Sequence, residues 1–148
     1  EFESWAKDRK QLRMEFFYRK IRAKHNILMQ PDGKHPIGDQ WNFDAENRKK
    51  LPKNHVPLQP KQFVRDVTEL VEEIQRAQVQ TIGKINPTAF FWPIQRSEAL
   101  ELLHFFVTRC LIHFGTYEDA MAHNDWSVYH SRLSFALNSK LLSPLEFW

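Results

Sequence analysis

The chain has 148 residues and a formal net charge of +3, with 42% apolar and 26% charged residues, which is ordinary for a globular protein large enough to bury one core. One cysteine, Cys110, excludes an internal disulfide and a cysteine-built metal site within these residues, and only four glycines argue against a glycine-rich phosphate loop. No apolar run approaches the roughly 20 residues of a membrane span, so we expect no membrane partner and a reducing, cytoplasmic setting.

The fold class predicted from the sequence is all-α. Apolar residues recur at three- and four-residue steps in four segments, whereas the two-residue alternation of β-strands is scarce. The clearest case is a single apolar stripe on an otherwise acidic segment, formed by Phe63, Val67, Leu70, Val71 and Ile74. We expect helices near residues 4–29, 62–76, 96–114 and 134–142.

The first predicted helix has a basic face and is followed by a long connector, residues 30–59. The basic face is either solvated surface or a surface that docks on acidic protein or on DNA phosphate. Apolar residues in the connector follow no helical or strand period, and its Pro and Gly residues are typical of turns. Trp41 and Phe43 lie within it, and their large rings must be buried somewhere. We interpret the connector as an interdomain clasp, with contact to nucleic acid as the alternative.

The third predicted helix is apolar on most of its sides, which is typical of a central helix. Ser97 is its expected N-cap and Gly115 its expected end. Cys110 lies on its apolar face with Phe106, and we expect a buried small hydrophobe rather than a nucleophile or a ligand. Further along, His123-Asn124-Asp125 has the residue types of a metal or acid–base cluster, but adjacent side chains diverge, so we expect a turn there.

Two turns rich in hydroxyl groups mark the last nineteen residues, His130 to Trp148. The second turn, Ser143-Pro144-Leu145-Glu146, combines a preferred N-cap, a proline suited to the first helical position and a capping-box glutamate. The chain ends two residues after this helix-start signal, and Glu1 is no initiator residue. We therefore expect the sequence to be an internal fragment of a longer protein.

No complete catalytic constellation is present, and we assign no catalytic or metal-ligating residue. The sequence has no nucleophile elbow, no H-E-x-x-H and no P-loop. The first hydroxyl turn (residues 130–134) can supply half of a cofactor site, because serine hydroxyls and free amides at a helix start donate to a diphosphate. Ser131 and Ser134 enclose that turn, and Arg132 adds positive charge. The alternative is that Ser131 only caps the following helix.

Several motifs together resemble those of one protein family. The signature T-S-x-L-S…G-x-L-S-P of DNA photolyases and cryptochromes is similar to Ser131-Arg132-Leu133-Ser134, Asn138 and Leu142-Ser143-Pro144. The F-G-x-x-Q-D-A-M run of the bacterial iron–sulfur branch, which includes prokaryotic (6-4) photolyases, is similar to Phe114-Gly115-x-Tyr117-Glu118-Asp119-Ala120-Met121. The same branch is resembled by Trp41-Asn42-Phe43-Asp44-x-Glu46-Asn47-Arg48 and by Phe91-Trp92-Pro93. The resemblance covers nearly the whole chain, in order.

The resemblance implies a domain organisation and a cofactor. Residues 1–60 would be an interdomain helix and the long connector, and residues 61–148 the N-terminal part of the helical FAD-binding domain. In the family, the first hydroxyl turn holds the FAD phosphates. The residues that this assigns to FAD contact are His130, Ser131, Arg132, Leu133, Ser134, Asn138 and, offset by about one residue from the family spacing, Tyr117.

Two departures from the family pattern concern the same segment. His130 stands where the common signature has Thr, which removes a small hydroxyl donor and adds a ring. Ser139-Lys140 replaces the glycine that many members have between the two turns. The first departure predicts different phosphate or ribose contacts, and the second predicts an altered helix end.

For the full-length protein, the resemblance implies light-driven repair of a pyrimidine photoproduct in damaged DNA, of the (6-4) type, by a carbon–carbon lyase. Excited reduced FAD would give an electron to a flipped-out lesion, which rearranges and returns it. The iron–sulfur cluster of this branch would have no ligand in this chain, and the remaining domains of the parent would complete the site, so the fragment alone is expected to be inactive. A cryptochrome-like blue-light photosensor stays an alternative, as does a basic all-helical interaction module without cofactor.

Overall fold

A computed structural model describes residues 1–147, and in this part of the chain the protein is helical without a β-strand. The α-helices are α1 (Phe2–Ala6), α2 (Met14–His25), α3 (Thr68–Arg76), α4 (Arg96–Phe105), α5 (Leu111–Tyr117) and α6 (Ser134–Asn138). A π-helical segment, Phe106–Cys110, joins α4 to α5, and 3-10 turns span Pro87–Ala89 and Pro144–Phe147. Between residues 1 and 147, no helix is both long enough and apolar enough to cross a lipid bilayer. The predicted all-α fold class is confirmed.

The described chain consists of two compact units, Glu1–Asp44 and Ala45–Phe147. The N-terminal unit contains α1 and α2. The C-terminal unit contains the remaining helices, the π segment and both hydroxyl turns. All of the residues assigned to FAD contact therefore belong to the C-terminal unit.

The single helix predicted for residues 4–29 is wrong, because two helices form instead. Between α1 and α2, Asp8 adopts a left-handed φ of 63°. The break allows ring packing: the ring centroids of Trp5 and Phe17 lie 5.2 Å apart, and Phe2 meets Phe17 edge-on at 5.2 Å. In one continuous helix, Trp5 and Phe17 would lie about 18 Å apart along the axis. Packing of these rings, which buries Trp5, therefore outweighs the continuity of the helix.

A buried arginine fixes the chain after α2. The Arg22 guanidinium donates from Nη2 to the Leu28 carbonyl at 2.7 Å and from Nε to the Ile27 carbonyl at 3.2 Å. It also lies 5.3 Å from the ring centroid of Trp41, a favourable arrangement of a cation and an aromatic face. One member of the predicted basic face is thus a structural residue. Trp41 is half-buried within the N-terminal unit, whereas Phe43 is exposed.

The helix predicted near residues 62–76 begins only at Thr68. The residues before it pair with another segment instead: the Arg65 N–H donates to the Phe90 carbonyl at 2.8 Å, and the Phe90 N–H donates to the Arg65 carbonyl at 3.0 Å. The Asp66 carboxylate accepts from the Thr68 N–H at 2.8 Å, which satisfies an amide at the helix start. Backbone pairing therefore replaces the first turn that the apolar stripe predicted.

The central helix, predicted for residues 96–114, extends through α4, the π segment and α5. Gly115, its expected end, lies inside α5. The first turn is capped by Glu98 rather than by Ser97, because the Glu98 carboxylate accepts from the N–H of the N-cap residue Gln95 at 3.3 Å in a capping box. The helix is therefore longer than predicted, and a carboxylate fixes its start.

Burial of the central helix is one-sided. Cys110 is buried, as predicted, and Phe106 packs partly buried against the core. Val107 and Ile112 on the other side are exposed. The expectation of burial on most sides of this helix is therefore wrong for these residues.

One buried apolar cluster holds α4 against the C-terminal residues. Its members are Ala99, Leu102, Leu103, Leu133, Ala136 and Leu142. The helix predicted for residues 134–142 is shorter, because α6 ends at Asn138 and Lys140 takes a left-handed φ of 63°. Glycine adopts that conformation without the Cβ clash that any other residue meets. Lys140 therefore takes up strain where many relatives, by the resemblance, have glycine.

Candidate functional site

The first hydroxyl turn is fixed by its own backbone and by the core. Ser131 Oγ accepts a hydrogen bond from the Leu133 N–H at 3.4 Å, and Arg132 between them has a left-handed φ of 55°. The Leu133 side chain is 2% exposed, and Ala136 in the next turn is fully buried. Leu133 is the residue immediately before α6, and no side chain in the described chain caps that helix. Ser131 therefore closes a turn rather than capping the helix.

Three of the predicted contact residues are exposed: His130 in the turn, and Ser134 and Asn138 on α6. Ser134 and Asn138 are exposed and lie one turn apart on α6, so they share a face. His130 is also exposed; its N–H donates to the Ser127 carbonyl at 2.8 Å, and its ring meets Phe114 edge-on at 5.7 Å. The Ser134 hydroxyl makes no hydrogen bond within residues 1–147. These exposed side chains are thus available to a ligand, while the backbone of the turn is anchored.

The Arg132 side chain is held by a distant part of the chain. Its Nη2 donates to the Lys61 carbonyl at 2.7 Å, and the guanidinium lies 5.4 Å from the ring centroid of Trp126. Burial lowers the pKa of the Arg132 guanidinium below its usual value. In this arrangement Arg132 ties the turn to Lys61.

Tyr117 is connected to the turn through another tyrosine. The half-buried Tyr117 ring lies 5.8 Å from the ring of Tyr129, which directly precedes His130. The Tyr129 ring also contacts His113 at 4.8 Å. Burial raises the pKa of the Tyr129 hydroxyl above its usual value, and Tyr117 and Asp125 add to that shift. The structure therefore brings Tyr117 near the start of the turn, with Tyr129 between them.

The sequence analysis missed a buried hydrogen-bonded pair beside the turn, His55 and Asp125. His55 Nε2 lies 3.1 Å from Asp125 Oδ2, and the two side chains are 9% and 3% exposed. Asp125 Oδ1 accepts from the Val128 N–H at 2.8 Å and from the Ser127 N–H at 3.2 Å. Burial disfavours the ionised carboxyl, but the hydrogen bonds from His55 and from the two amides outweigh it, so the pKa of Asp125 lies below its usual value.

A turn was the expected structure for His123-Asn124-Asp125, and Asp125 does organise one through its amide contacts. Its histidine partner lies 70 residues earlier in the chain. No local pattern announces such a pairing. The adjacent Asn124 and Asp125 indicate the turn, because both residue types favour turns, but they do not indicate the partner.

An open cleft of about 600 Å³ lies beside this pair, between the connector and the central helix. Tyr129 forms part of its wall, and Arg109 contributes an exposed cation. The cleft is lined by Val56, Pro57, Leu58, Gln59, Phe105, Arg109, His113 and Tyr129. The His55–Asp125 pair therefore connects the cleft wall to the loop that leads into the hydroxyl turn.

The residues of the described chain do not assemble a metal site. No group of three or more His, Cys, Asp or Glu side chains in residues 1–147 could hold a metal ion. Burial raises the pKa of the Cys110 thiol, although the nearby Arg132 and Arg109 charges act in the opposite direction. An iron–sulfur cluster does not fit the residues of this chain.

Two comparisons with known proteins give related results. A family model described as deoxyribodipyrimidine photo-lyase-related protein matches residues 1–90. A (6-4) photolyase of Agrobacterium fabrum (strain C58 / ATCC 33970) is 39% identical over 150 residues, which covers 99% of this chain and 28% of that protein. The chain thus spans 28% of the length of the relative that it matches.

Proposed function

We propose that this chain, which belongs to the deoxyribodipyrimidine photo-lyase-related protein family, forms part of a flavin-dependent enzyme that repairs (6-4) photoproducts of DNA in the light. The observation that carries the proposal is 39% identity, over 99% of the chain, to a protein named (6-4) photolyase. Damaged DNA is then the substrate of the full-length protein. Regions outside these 148 residues complete the site, since the chain spans 28% of the relative's length.

In this proposal the first hydroxyl turn binds the diphosphate of FAD. The exposure of His130, Ser134 and Asn138 supports this assignment, because these residues present polar groups on an anchored backbone. Ser131 can join them: its Oγ accepts from the Leu133 N–H, which leaves the hydroxyl proton to donate to a phosphate oxygen. Neutral donors on a fixed backbone suit a diphosphate that need not be fully neutralised.

The other assigned residues position these exposed side chains or approach the cofactor from another side. Leu133 holds the turn in the core, and Arg132 holds it to the Lys61 carbonyl, so both fix the position of the serines. Tyr117 is proposed to reach the phosphates or the ribose from the side of Tyr129. When bound, reduced FAD supplies the light-driven electron transfer. The residues named here bind the cofactor, orient it and keep water from one side of it.

The test is flavin binding by the full-length protein with Ser131→Ala and Ser134→Ala. Loss of a hydrogen bond to a charged group lowers affinity by about ten- to a hundred-fold per serine. Fluorescence titration of FAD into the folded variants measures this. Ser139→Ala is the matched control, because that hydroxyl donates to the Phe135 carbonyl at 2.9 Å within the helix end. Wild-type affinity in the double variant would overturn the site assignment.

The function itself has a separate test. Full-length wild-type protein, reduced and illuminated, is expected to restore bases in an oligonucleotide that carries one (6-4) lesion, and to do nothing in the dark. Chromatography of the digested DNA measures the repair. A protein that binds FAD but never repairs this lesion would be the photosensor, and one that binds no FAD would be the cofactor-free module. Either result contradicts the proposal.

A further inference from the structure

We infer that His55 and Asp125 form a positioning pair for the flavin-phosphate turn, through which the connector sets the geometry of the loop that enters it. The inference rests on the proposed function, because it assigns a role at the same site. Neither residue belongs to the signature that led to the flavin assignment. Three features support this role: the burial of the pair, the strained residue that it holds and the short path along the chain to Ser131.

Asp125 holds a loop that would otherwise relax. Val128 has a left-handed φ of 43°, and it is buried. A β-branched residue in that conformation is a steric outlier, and such strain persists only where the surroundings over-determine it. The Asp125 carboxylate supplies the constraint, since one oxygen takes the N–H groups of both Ser127 and Val128.

The path from this constraint to the site is short. The His130 N–H donates to the Ser127 carbonyl at 2.8 Å, so the residues between them form one closed turn. Ser131 follows directly. A change in the backbone of Val128 therefore moves His130 and Ser131, and it does so without any contact between Asp125 and the cofactor.

His55 brings the connector into this arrangement. Its own N–H donates to the Pro52 carbonyl at 2.9 Å, which fixes the local backbone of the connector. Its ring bonds Asp125 and also meets the Tyr129 ring edge-on at 5.8 Å. One imidazole thus contacts both ends of the strained loop, the carboxylate that starts it and the ring that ends it.

The physics of buried hydrogen bonds explains how the pair acts. A carboxylate withdrawn from water is costly to leave without hydrogen-bond partners. His55 supplies one partner of Asp125, and the amides of Ser127 and Val128 supply the others. These contacts together hold the loop in the conformation that Asp125 organises.

The experiment compares FAD affinity among variants of the full-length protein, with free FAD as the probe. Asp125→Ala removes both the charge and the amide acceptor, whereas Asp125→Asn keeps a carbonyl oxygen for the Ser127 and Val128 amides. His55→Ala removes the connector's contribution alone. Asp119→Ala is the control: its carboxylate pairs with Arg48 of the same connector at 3.2 Å, but on an exposed surface.

We expect the dissociation constant of FAD to rise about ten-fold or more in Asp125→Ala. In Asp125→Asn it should return most of the way to the wild-type value, and in Asp119→Ala it should equal the wild-type value. All variants are compared at a temperature where circular dichroism shows them folded. His55→Ala is expected to weaken FAD binding several-fold, and it provides the measurement if Asp125→Ala does not fold. FAD affinity equal to wild type in folded His55→Ala or Asp125→Ala would overturn the positioning role. Failure of the wild type itself to bind FAD would instead defeat the proposed function.

Discussion

Glu98 and Arg65 join the segment before α3 to the first turn of α4. The Arg65 guanidinium donates from Nη2 to Glu98 Oε1, and both side chains are partly buried. The second carboxylate oxygen accepts from the Ile94 N–H at 2.9 Å and from the Gln95 N–H at 3.3 Å. One carboxylate therefore caps the central helix and fixes a neighbouring segment to it.

Replacing this carboxylate is expected to destabilise the fold. Glu98→Ala should lower the free energy of unfolding by about 1–2 kcal/mol, because a helix cap and a partly buried ion pair are lost together. Urea denaturation measures the change. Glu101→Ala is the control, since Glu101 pairs with Lys61 on the exposed surface, where such pairs contribute about 0–1 kcal/mol. Equal losses in the two variants would show that the cap has no special role.

Truncating side chains of the central helix should destabilise the fold more on its buried side than on its exposed side. Leu102 is fully buried in the cluster, so Leu102→Ala should lower the free energy of unfolding by about 2–5 kcal/mol. Truncation of a fully buried Phe106 to Ala would lower the free energy of unfolding by about 3–5 kcal/mol. Phe106 is only partly buried, so Phe106→Ala should lower it by less than Leu102→Ala does. Thermal unfolding ranks the variants, with exposed Ile112→Ala as the control. A larger loss of stability in Phe106→Ala than in Leu102→Ala would contradict the partial burial of Phe106.

The strained end of α6 can be relieved by one substitution. Lys140→Gly should raise the free energy of unfolding by about 0.5–1 kcal/mol, because glycine takes the left-handed φ of 63° without a Cβ clash. Lys140→Ala removes the charge but keeps the Cβ, so its stability should stay close to that of the wild type. Calorimetric melting of the two variants and the wild type measures these differences in stability. A glycine variant less stable than the alanine variant would mean that chain entropy outweighs the strain.

Low pH should reduce the free energy of unfolding, in part because Asp125 becomes protonated. Its pKa is lower in the folded state than in the unfolded chain, so the stabilisation is complete above about pH 4, the usual value for aspartate, and it is lost as pH falls through the folded pKa. The free energy of unfolding of the wild type should therefore decline below about pH 4. In Asp125→Asn this decline should be shallower, so that the two curves converge at low pH. Parallel curves between pH 6 and pH 3 would exclude the carboxylate as the cause.

The sequence predicts those features that depend on neighbouring residues along the chain. The burial of Cys110 follows from its place in a helical stripe. The glutamate half of the predicted Ser143–Glu146 capping box is present, since the Ser143 N–H donates to Glu146 Oε2 at 2.7 Å, whereas the Ser143 hydroxyl accepts from the Leu145 N–H at 3.3 Å. The all-α class follows from the same periodicity. Each of these depends on contacts within about one helical turn.

Features that depend on distant contacts could not be predicted in this way. Nothing between Trp5 and Met14 signals a break, since the rings of Trp5 and Phe17 cause it by packing together. The polar character of the first hydroxyl turn is evident from its serines, but the direction of Arg132 is set by the carbonyl of Lys61, which lies 71 residues earlier in the chain. Hydrophobic periodicity carries no information about such partners.

The π segment gives the central helix two different side-chain registers. A π turn accommodates an additional residue, and each residue in a regular helix turns the chain by about 100°. Side chains after Cys110 are therefore rotated around the axis relative to a helix continued from α4. Deleting one residue within Phe106–Cys110 would restore a regular helix and swing Tyr117 away from Tyr129. A one-residue gap at this point in an alignment of relatives would thus mark a real difference in which face of α5 meets the turn.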